Sequence, residues 1–375
     1  MAVVPETIQT IARLTPLADV LAMVDLDVKP VTPRTIDLGA APGRTLAVDA
    51  MSRARPNVSI AMLDGWAIAA DSTLGAGGYT PALLLQTPTR IEVGQPMPPD
   101  TDSVAPFDAI KVKNGRAEAL MTINPGDGVL SAGGDCDPAI PLRRAGDHLS
   151  LTDIAAFAAA GIARITVREP RIRVLPLRGS AIINAAARLI ASDIERRGGA
   201  ARLDDPGRDL GSVLGAESAD AIVVIGGTGN GRNDNSVQIL AREAWLAVHG
   251  MAVSPGQTAG FGFSTQRPVL MLPGRLDAAL AVWLLVGRRI LERLSGATHH
   301  KDAEPVETLT LARKVTSIVG LAEVVPIRRD GDQAEPMAVH YLPLSTLTRS
   351  DGWILVPPDS EGYSEGSAVQ VRPWP

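Results

Sequence analysis

The chain has 375 residues, a net charge of -5 and a single cysteine, Cys136. A chain of this length is expected to form two to four domains, its acidic charge balance argues against a nucleic-acid surface, and one cysteine excludes a disulfide framework and a thiolate metal site. Because the first residues lack a secretory pattern and no apolar run is long enough to span a membrane, we expect a cytoplasmic protein without a membrane partner.

The N-terminal half of the sequence predicts one helix before a β-rich segment and one helix after it. Apolar residues recur at helical spacing over residues 17–24, with Thr15 predicted as the N-cap and Pro16 as the first helical residue. Short alternating apolar runs from about 73 to 129, interrupted by Gly, Pro and Asp, are typical of a small β domain. Residues 150–161 then predict a second helix.

From residue 171 onwards, β runs alternate with amphipathic helices. Residues 171–175 and 221–225 are apolar and rich in β-branched side chains, whereas residues 184–197 have helical periodicity and end at Gly198. This alternation predicts a mostly parallel sheet with helices on both faces. Ligands of such sheets bind at the carboxyl ends of the strands.

A glycine-rich segment follows the second of these β runs. Gly226, Gly227, Gly229 and Gly231 can take positive φ and let a ligand approach the backbone, and their amides can bind an anion such as phosphate. The dinucleotide-binding and Walker A patterns both fail here, because Arg232 stands where the first requires glycine and the second lysine. The segment therefore predicts a phosphate site of another kind.

Several segments, in order along the chain, resemble the motifs of one family. Residues 36–49 are similar to Leu-x-x-Ala-x-Gly-Arg-x-Leu-Ala-x-Asp, residues 61–67 to Ser-Ala-Met-Asp-Gly-Tyr-Ala, and residues 132–135 to Ala-Gly-Glu-Asp. The glycine segment with Asp234 resembles Ser-Gly-Gly-Val-Ser-Val-Gly-x-x-Asp, and residues 272–280 resemble Leu-Pro-Gly-Asn-Pro-Val-Ser-Ala-Leu. Over nearly its whole length the chain is similar to the molybdopterin molybdenumtransferase family, of the MoeA and gephyrin E-domain type.

The resemblance implies a multidomain α/β fold. An elongated N-terminal α/β domain is expected from residues 1–52 and 138–168, and an inserted β domain from residues 53–137. A molybdopterin-binding α/β domain, with a mostly parallel sheet and helices on both faces, is expected from residues 169–298. A C-terminal β-barrel-like domain is expected from residues 302–375, with His299 and His300 in the preceding linker.

The resemblance also implies a role in molybdenum cofactor biosynthesis. Family members insert molybdate into adenylylated molybdopterin and release AMP, with help from a divalent cation such as Mg²⁺, and they do so as homodimers. The small-molecule partner is then a pterin phosphate or an adenylylated pterin. A molybdoenzyme or another cofactor-biosynthesis protein is a further candidate partner.

Matching the family motifs residue by residue gives a candidate site. The catalytic residues are expected to be Asp64, Asp135 and Asp234, and the metal ligands Asp204, Asp205 and Asp234. The remaining matched positions are expected to bind the cofactor, and they are Gly226, Gly227, Thr228, Gly229, Gly231, Arg178, Arg232, Pro255, Gly256, Pro273, Gly274 and Arg275.

The sequence also departs from the family pattern. The carboxylate pair of Ser-Thr-Gly-Asp-Glu-Leu is missing from residues 176–181, and Ser254 and Gln257 replace both lysines of Lys-Pro-Gly-Lys. One alternative is therefore a catalytically silent carrier or chaperone for molybdopterin or the finished cofactor, and a weaker one is a different nucleotide-phosphate hydrolase. Because arginine binds phosphate without a metal, Arg178, Arg232 and Arg275 are predicted to replace part of the cation site.

Overall fold

The computed structural model describes residues 9–113, 115–216, 218–298 and 306–375, so His299 and His300 lie outside the described residues, as do residues 302–305 of the predicted C-terminal domain. The chain divides into two compact units. The larger consists of residues 1–48, 145–151 and 166–375, and the smaller of residues 49–144 and 152–165. The domain boundaries expected from the family resemblance stay predictions.

The helices of the described residues are short, and none combines the length and apolar character needed to cross a membrane. Their bounds are α1 Leu17–Asp27, α2 Leu151–Ala159, α3 Ala181–Arg196, α4 Leu210–Gly215, α5 Ser236–Glu243, α6 Leu276–Val282, α7 Arg288–Ser295 and α8 Leu344–Arg349. A π-helical stretch, Trp283–Gly287, joins α6 to α7.

The strands are numbered in chain order. The first ten are β1 Arg34–Asp37, β2 Thr45–Leu46, β3 Ile60–Ala61, β4 Gly65–Ile68, β5 Ala82–Leu84, β6 Thr89–Ile91, β7 Ser103–Ala105, β8 Ile110–Lys113, β9 Arg116–Ala119 and β10 Val129–Leu130. The next eight are β11 Arg164–Arg168, β12 Arg171–Pro176, β13 Ala200–Leu203, β14 Ala221–Ile225, β15 Trp245–His249, β16 Val253–Ser254, β17 Gly260–Ser264 and β18 Arg267–Leu272. The last seven are β19 Glu307–Leu311, β20 Val315–Thr316, β21 Ala322–Asp330, β22 Gln333–Pro336, β23 Gly352–Val356, β24 Gly362–Tyr363 and β25 Ala368–Pro373.

The larger unit is built on a six-stranded sheet with the order β13-β12-β14-β18-β17-β15. The four strands from β13 to β18 are parallel, and β17 is antiparallel to both of its neighbours, β18 and β15. Strand β14 is buried on both faces: Val223 and Ile225 pack with residues of α3, α6 and α7, whereas Ile222 and Val224 pack with residues of α4 and α5. The predicted mostly parallel sheet with helices on both faces is confirmed.

The C-terminal strands of the larger unit close into a small barrel. Strands β21, β22, β19, β25 and β23 are neighbours in that order, and β23 also pairs with β21. On β21, Val324 packs into the core of the α/β domain, and Val325 packs into the core of the barrel. Strand β16 extends the same sheet, because it pairs in parallel with β21. The expected C-terminal β-barrel-like domain is confirmed.

The smaller unit contains short antiparallel sheets, as the alternating runs predicted. Their strand orders are β6-β4-β7, β5-β9-β8 and β10-β3. In β4, Trp66 of the Leu-Asp-Gly-Trp motif meets Phe107 edge to face, with ring centroids 5.8 Å apart. This contact explains the aromatic residue of the motif by packing within the unit.

Helix boundaries differ from the sequence prediction by one to three residues. Helix α1 begins at Leu17, with Pro16 rather than Thr15 at the N-cap, and no side chain caps it. Thr15 is bound elsewhere, since its N–H donates to the Gly250 carbonyl at 2.9 Å. Helix α3 begins three residues earlier than predicted, because the Ser180 hydroxyl caps it by accepting from the Ile183 amide at 3.2 Å.

Candidate functional site

The parallel strands bring four loops together at one edge of the sheet, which we call the carboxyl edge: the loops that follow β12, β13, β14 and β18. Pro176 lies opposite Ile225, and Ile225 lies opposite Leu272, so these strands end level with one another. The first residues of the loops are also joined, because the Gly226 amide donates to the Leu272 carbonyl at 2.9 Å. Several of the predicted cofactor-binding residues therefore lie side by side.

The glycine loop, residues 226–231, turns sharply at its start. Gly226 has φ 99° and Gly227 has φ 74°, a left-handed conformation that favours glycine. A Cβ on Gly274 would lie 3.6 Å from the Gly226 Cα, so the Pro273-Gly274 loop is packed directly against the glycine loop. The expected positive φ is present at Gly226 and Gly227, and the approach of a ligand to this backbone stays a prediction.

Glycine is needed at positions 229 and 231 for a different reason, which is the space that a side chain would occupy there. Neither is among the residues with positive φ, and a Cβ on either would lie 2.8 to 2.9 Å from Oδ2 of Asp234. The Asp234 carboxylate folds back over the loop and accepts a hydrogen bond from the Gly231 amide at 3.1 Å. Positive φ is thus observed at Gly226 and Gly227 but not at Gly229 and Gly231, which make room for the Asp234 side chain.

The middle of the glycine loop presents free backbone donors. Within the described part of the chain, the amides of Gly227, Thr228, Gly229 and Asn230 form no hydrogen bond. Thr228 is buried, and its hydroxyl lies 3.1 Å from the hydroxyl of Thr258. Unpaired amides held in one loop form the arrangement that binds anions.

The three candidate arginines differ in how they are engaged. Arg178 donates to the Asn233 carbonyl and lies 3.3 Å from Oδ1 of Asp234. Arg275 donates to both carboxylate oxygens of buried Asp277, at 2.5 and 3.1 Å, and its guanidinium lies 4.8 Å from the ring centroid of Tyr341. Arg232 is exposed, and no partner for it is found among the described residues.

The predicted metal ligands are not gathered into one set. Asp204 is buried and accepts two hydrogen bonds from buried Arg173, at 2.8 and 2.9 Å, while Asp205 is exposed. Asp234 is engaged with its own loop and with Arg178. Among the residues that the structure describes, no three His, Cys, Asp or Glu side chains could hold a metal ion together. These carboxylates do not fit a bound Mg²⁺ as they stand, and the cation stays a prediction.

In the Ser254-Pro255-Gly256-Gln257 loop, the two residues that depart from the family pattern form hydrogen bonds within this chain. The Ser254 hydroxyl is buried and donates to Glu323 of the barrel at 3.5 Å. The Gln257 side-chain oxygen accepts from the Gly256 amide at 3.2 Å. Pro255 follows a cis peptide bond, and a Cβ on Gly256 would lie 2.5 Å from Val282 of α6. The side chains that replace the lysines therefore have partners within this chain.

Asp64 and Asp135 belong to the smaller unit. Asp64 Oδ1 accepts a hydrogen bond from the Val93 amide at 2.8 Å, which joins the residue before β4 to the segment after β6. Asp135 lies 3.9 Å from the Arg55 guanidinium, and both side chains are half exposed. Their catalytic roles stay predictions.

Sequence reasoning missed four residues that contact the carboxyl edge or its neighbouring loops. Asp277 anchors Arg275 and accepts from the Leu342 amide at 3.1 Å, and Tyr341 stacks with Arg275. Glu323, fully buried, accepts hydrogen bonds from Ser317 and from the His340 amide, both at 2.6 Å. Gln9 donates to two carbonyls of the glycine loop. Of these four residues, only Asp277 lies within a motif that the sequence analysis matched, residues 272–280.

Three family models match the chain in succession. They are the MoeA N-terminal region (domain I and II) over residues 6–161, a probable molybdopterin binding domain over residues 179–293, and the MoeA C-terminal region (domain IV) over residues 308–374. Together they span almost all of the sequence in the order that the motifs predicted.

Individual relatives agree with these matches. A Methanocaldococcus jannaschii protein, named provisionally for molybdopterin biosynthesis, is 25% identical over 353 residues, covering 84% of this chain and 85% of the relative. A molybdopterin molybdenumtransferase from Nostoc sp. is 25% identical over 311 residues, covering 72% of this chain and 71% of the relative. The structure of a molybdopterin biosynthesis MoeA protein from Pyrococcus horikoshii has a TM-score of 0.78 at 23% identity, covering 96% of this chain and 99% of that one. At this identity the structural match establishes the fold.

Proposed function

Because this chain belongs to the MoeA family of molybdenum cofactor biosynthesis proteins, we propose that it is a molybdopterin molybdenumtransferase. Its substrates are adenylylated molybdopterin and molybdate. One water is consumed as the phosphoanhydride bond breaks and AMP leaves. The dithiol of molybdopterin then binds the molybdenum of molybdate, and one oxygen ligand of molybdate leaves as water with the two thiol protons. The observation that carries the proposal is the meeting of four loops at the carboxyl edge around a glycine loop whose amides are unpaired.

The phosphates are the part of the substrate that this edge is best suited to hold. The free amides of the glycine loop point fixed partial positive charges at an anion without any reorganisation. Arg178 and Arg232 flank the same loop and supply full positive charges. Negative charge that develops on the phosphate oxygens as AMP departs is therefore stabilised by donors already in place.

The test is to incubate the purified protein with adenylylated molybdopterin, molybdate and Mg²⁺ and to measure AMP. We expect AMP release above a blank without protein, and a parallel reaction in EDTA measures how much of it depends on a cation. Protein that binds the substrate but releases no AMP above the blank would contradict the transferase proposal.

A second candidate is a carrier of molybdopterin or of the finished cofactor on the same scaffold. It is favoured by two observations: the described residues do not gather three metal ligands, and Ser254 and Arg275 are engaged with Glu323 and Asp277. Tight binding of molybdopterin without turnover, followed by transfer to an apo-molybdoenzyme, would favour this candidate over the transferase.

A further inference from the structure

Gln9 is a buried polar residue that lies against the glycine loop, although it precedes Gly227 by 218 positions in the sequence. It is 4% exposed. Its side-chain nitrogen donates to the carbonyl of Gly227 at 2.8 Å and to the carbonyl of Gly229 at 2.6 Å. One amide group therefore joins two alternate peptide units of the loop, and at Gly227 it shares the carbonyl with the Ser236 amide, which donates at 3.2 Å.

Fixing these carbonyls also fixes two backbone donors. In a planar trans peptide, the C=O of one residue and the N–H of the next point in opposite directions. The only cis peptide bonds of the described chain precede Pro56 and Pro255, so the bonds after Gly227 and Gly229 are trans. Carbonyls that point towards Gln9 turn the amides of Thr228 and Asn230 away from it. Both of these amides are among the unpaired donors of the loop.

The segment that carries Gln9 is itself anchored to the α/β domain. The Thr15 amide donates to the Gly250 carbonyl at 2.9 Å, and the Ala252 amide donates to the Thr15 carbonyl at 2.8 Å. Closer to Gln9, a Cβ on Gly250 would lie 2.4 Å from Cγ2 of Ile11, so Gly250 leaves the room that Ile11 occupies. These contacts hold Gln9 at a fixed position.

Two buried polar atoms near Gly227 have no partner in the described structure: Oε1 of Gln9 and Oγ of Ser236. Ser236 is fully buried at the start of α5, and its Oγ would lie 3.1 Å from a Cβ on Gly227. Leaving a buried polar atom unpaired costs free energy unless a bound group satisfies it. Two unsatisfied polar atoms therefore lie beside the glycine loop.

We propose that Gln9 is a positioning residue of the glycine loop, which aims the amides of Thr228 and Asn230 at the phosphate of the ligand. The inference rests on the proposed function in that it takes the ligand to be a phosphate ester. It adds that the segment from Gln9 to Thr15 is part of the anion site. Gln9 acts through the loop backbone and is not itself a catalytic residue.

The test compares three variants with inorganic phosphate as the probe. Gln9→Met keeps the length of the side chain but has no donor, and Gln9→Asn has a shorter amide that reaches at most one carbonyl. Gln333→Met makes the same change at an exposed position of β22 and serves as the control. Phosphate is titrated into ¹⁵N-labelled protein while the amide resonances of Thr228 and Asn230 are followed, and thermal unfolding is measured in parallel.

We expect phosphate to shift both resonances in the wild-type protein and in the control. In Gln9→Met the dissociation constant should rise roughly tenfold, the effect of losing one or two neutral hydrogen bonds that orient the donors, with a smaller rise in Gln9→Asn. A purely structural role would lower the unfolding temperature of Gln9→Met and leave the phosphate affinity of the folded protein unchanged. That outcome, or equal affinities for Gln9→Met and the control, would overturn the proposal.

The experiment separates this inference from the proposed function. If the wild-type protein releases no AMP from adenylylated molybdopterin, but phosphate still shifts the two amides and binds more weakly to Gln9→Met, the transferase proposal fails and the role of Gln9 stands. If wild type and Gln9→Met release AMP at equal rates and bind phosphate with equal affinities, the proposed role of Gln9 fails and the transferase proposal stands.

Discussion

At the scale of single residues, the three arginines of the carboxyl edge should not contribute equally to ligand binding. Arg178 and Arg275 already pair with carboxylates, whereas Arg232 is exposed and no partner for it is found in the described structure. An engaged guanidinium must share its donors between a carboxylate and the ligand, and a free one need not. Arg232 is therefore the arginine most available to a phosphate group.

We predict that Arg232→Ala weakens molybdopterin binding about ten- to a hundredfold, the range for losing a hydrogen bond to a charged group. The residual affinity should fall further as salt is added and should survive EDTA, because arginines and amides hold the phosphate. Calorimetry measures the affinity of each variant and its dependence on salt and EDTA, with Arg242→Ala on α5 as the matched control. Affinity that EDTA abolishes and Arg232→Ala leaves unchanged would show that a metal holds the ligand.

Asp204 allows a second test, because its observed contacts differ from its predicted role. Asp204→Ala leaves Arg173 buried without a counter-charge, so we predict a loss of about 3–5 kcal/mol in the free energy of unfolding, equal with and without EDTA. Replacing both residues, as Arg173→Met with Asp204→Leu, should recover most of this loss. Urea unfolding provides the measurement, and exposed Asp205→Ala is the control. A loss that appears only when Mg²⁺ is present would support the metal-ligand prediction instead.

The sequence could not reveal the partner of Asp204. The motif match placed this residue at the carboxyl edge, where it does lie, since it follows β13 directly. Its partner Arg173 belongs to β12, and only the parallel pairing of β12 with β13 brings the two together. The contacts of Gln9 were still harder to predict from the sequence, because no pattern around this residue indicates that it contacts residues 227 and 229.

At the scale of secondary-structure elements, one buried carboxylate joins helix α3 to the π-helical stretch and to helix α7. Asp193 accepts hydrogen bonds from the Trp283 indole at 2.7 Å and from Arg288 at 2.8 and 3.0 Å. Burial alone would raise the pKa of Asp193, but the hydrogen bonds and charge of Arg288, helped by Trp283 and Arg197, hold this pKa below its usual range.

A carboxylate whose pKa is depressed in the folded state stabilises the fold above its unfolded pKa of about 3.9, and this contribution is lost as the pH falls through the folded pKa. We predict that Asp193→Asn lowers the free energy of unfolding at pH 7 by about 3–5 kcal/mol, because Arg288 loses its counter-charge. Below pH 4 the difference between variant and wild type should narrow. Urea unfolding over a pH series measures it, with exposed Glu195→Gln of the same helix as control. A difference that stays constant down to pH 2 would contradict this account.

The elements that the sequence predicted best are those whose residues carry the signal locally. Strand β14 matches the predicted residues 221–225, because a run of β-branched residues buried on both faces is visible without knowing its neighbours. The start of α1 was predicted one residue too early. Thr15 has the chemistry of an N-cap, but a tertiary contact with Gly250 occupies its backbone. Local preference was overridden there by packing.

At the scale of the whole molecule, the family resemblance leads us to predict a homodimer. Small units bury a lower fraction of their apolar surface, and a second copy provides the surface that one chain lacks. Light scattering at micromolar concentration should give twice the mass of one chain. A monomeric mass at that concentration would contradict the prediction.

Much of the architecture could be predicted because the motifs occur in order along almost the whole chain, and each belongs to a known place in the family fold. What could not be predicted is how the barrel attaches to the α/β domain. Ser254 lies in a loop motif that suggested ligand binding, yet it pairs with Glu323 both in the sheet and through its side chain. That partnership depends on a residue 69 positions later and has no local pattern.

The strand that the α/β domain contributes to the barrel sheet has a consequence for how the molecule unfolds. Since β16 pairs with β21, and Val324 and Trp353 of the barrel belong to the α/β core, neither part can melt without exposing the other. We therefore predict one calorimetric transition for both, with equal van't Hoff and calorimetric enthalpies. A protease site engineered after Thr298 tests this coupling: the two fragments should co-elute after cleavage and separate only in denaturant. Two transitions, or fragments that part in buffer, would show that each domain folds autonomously.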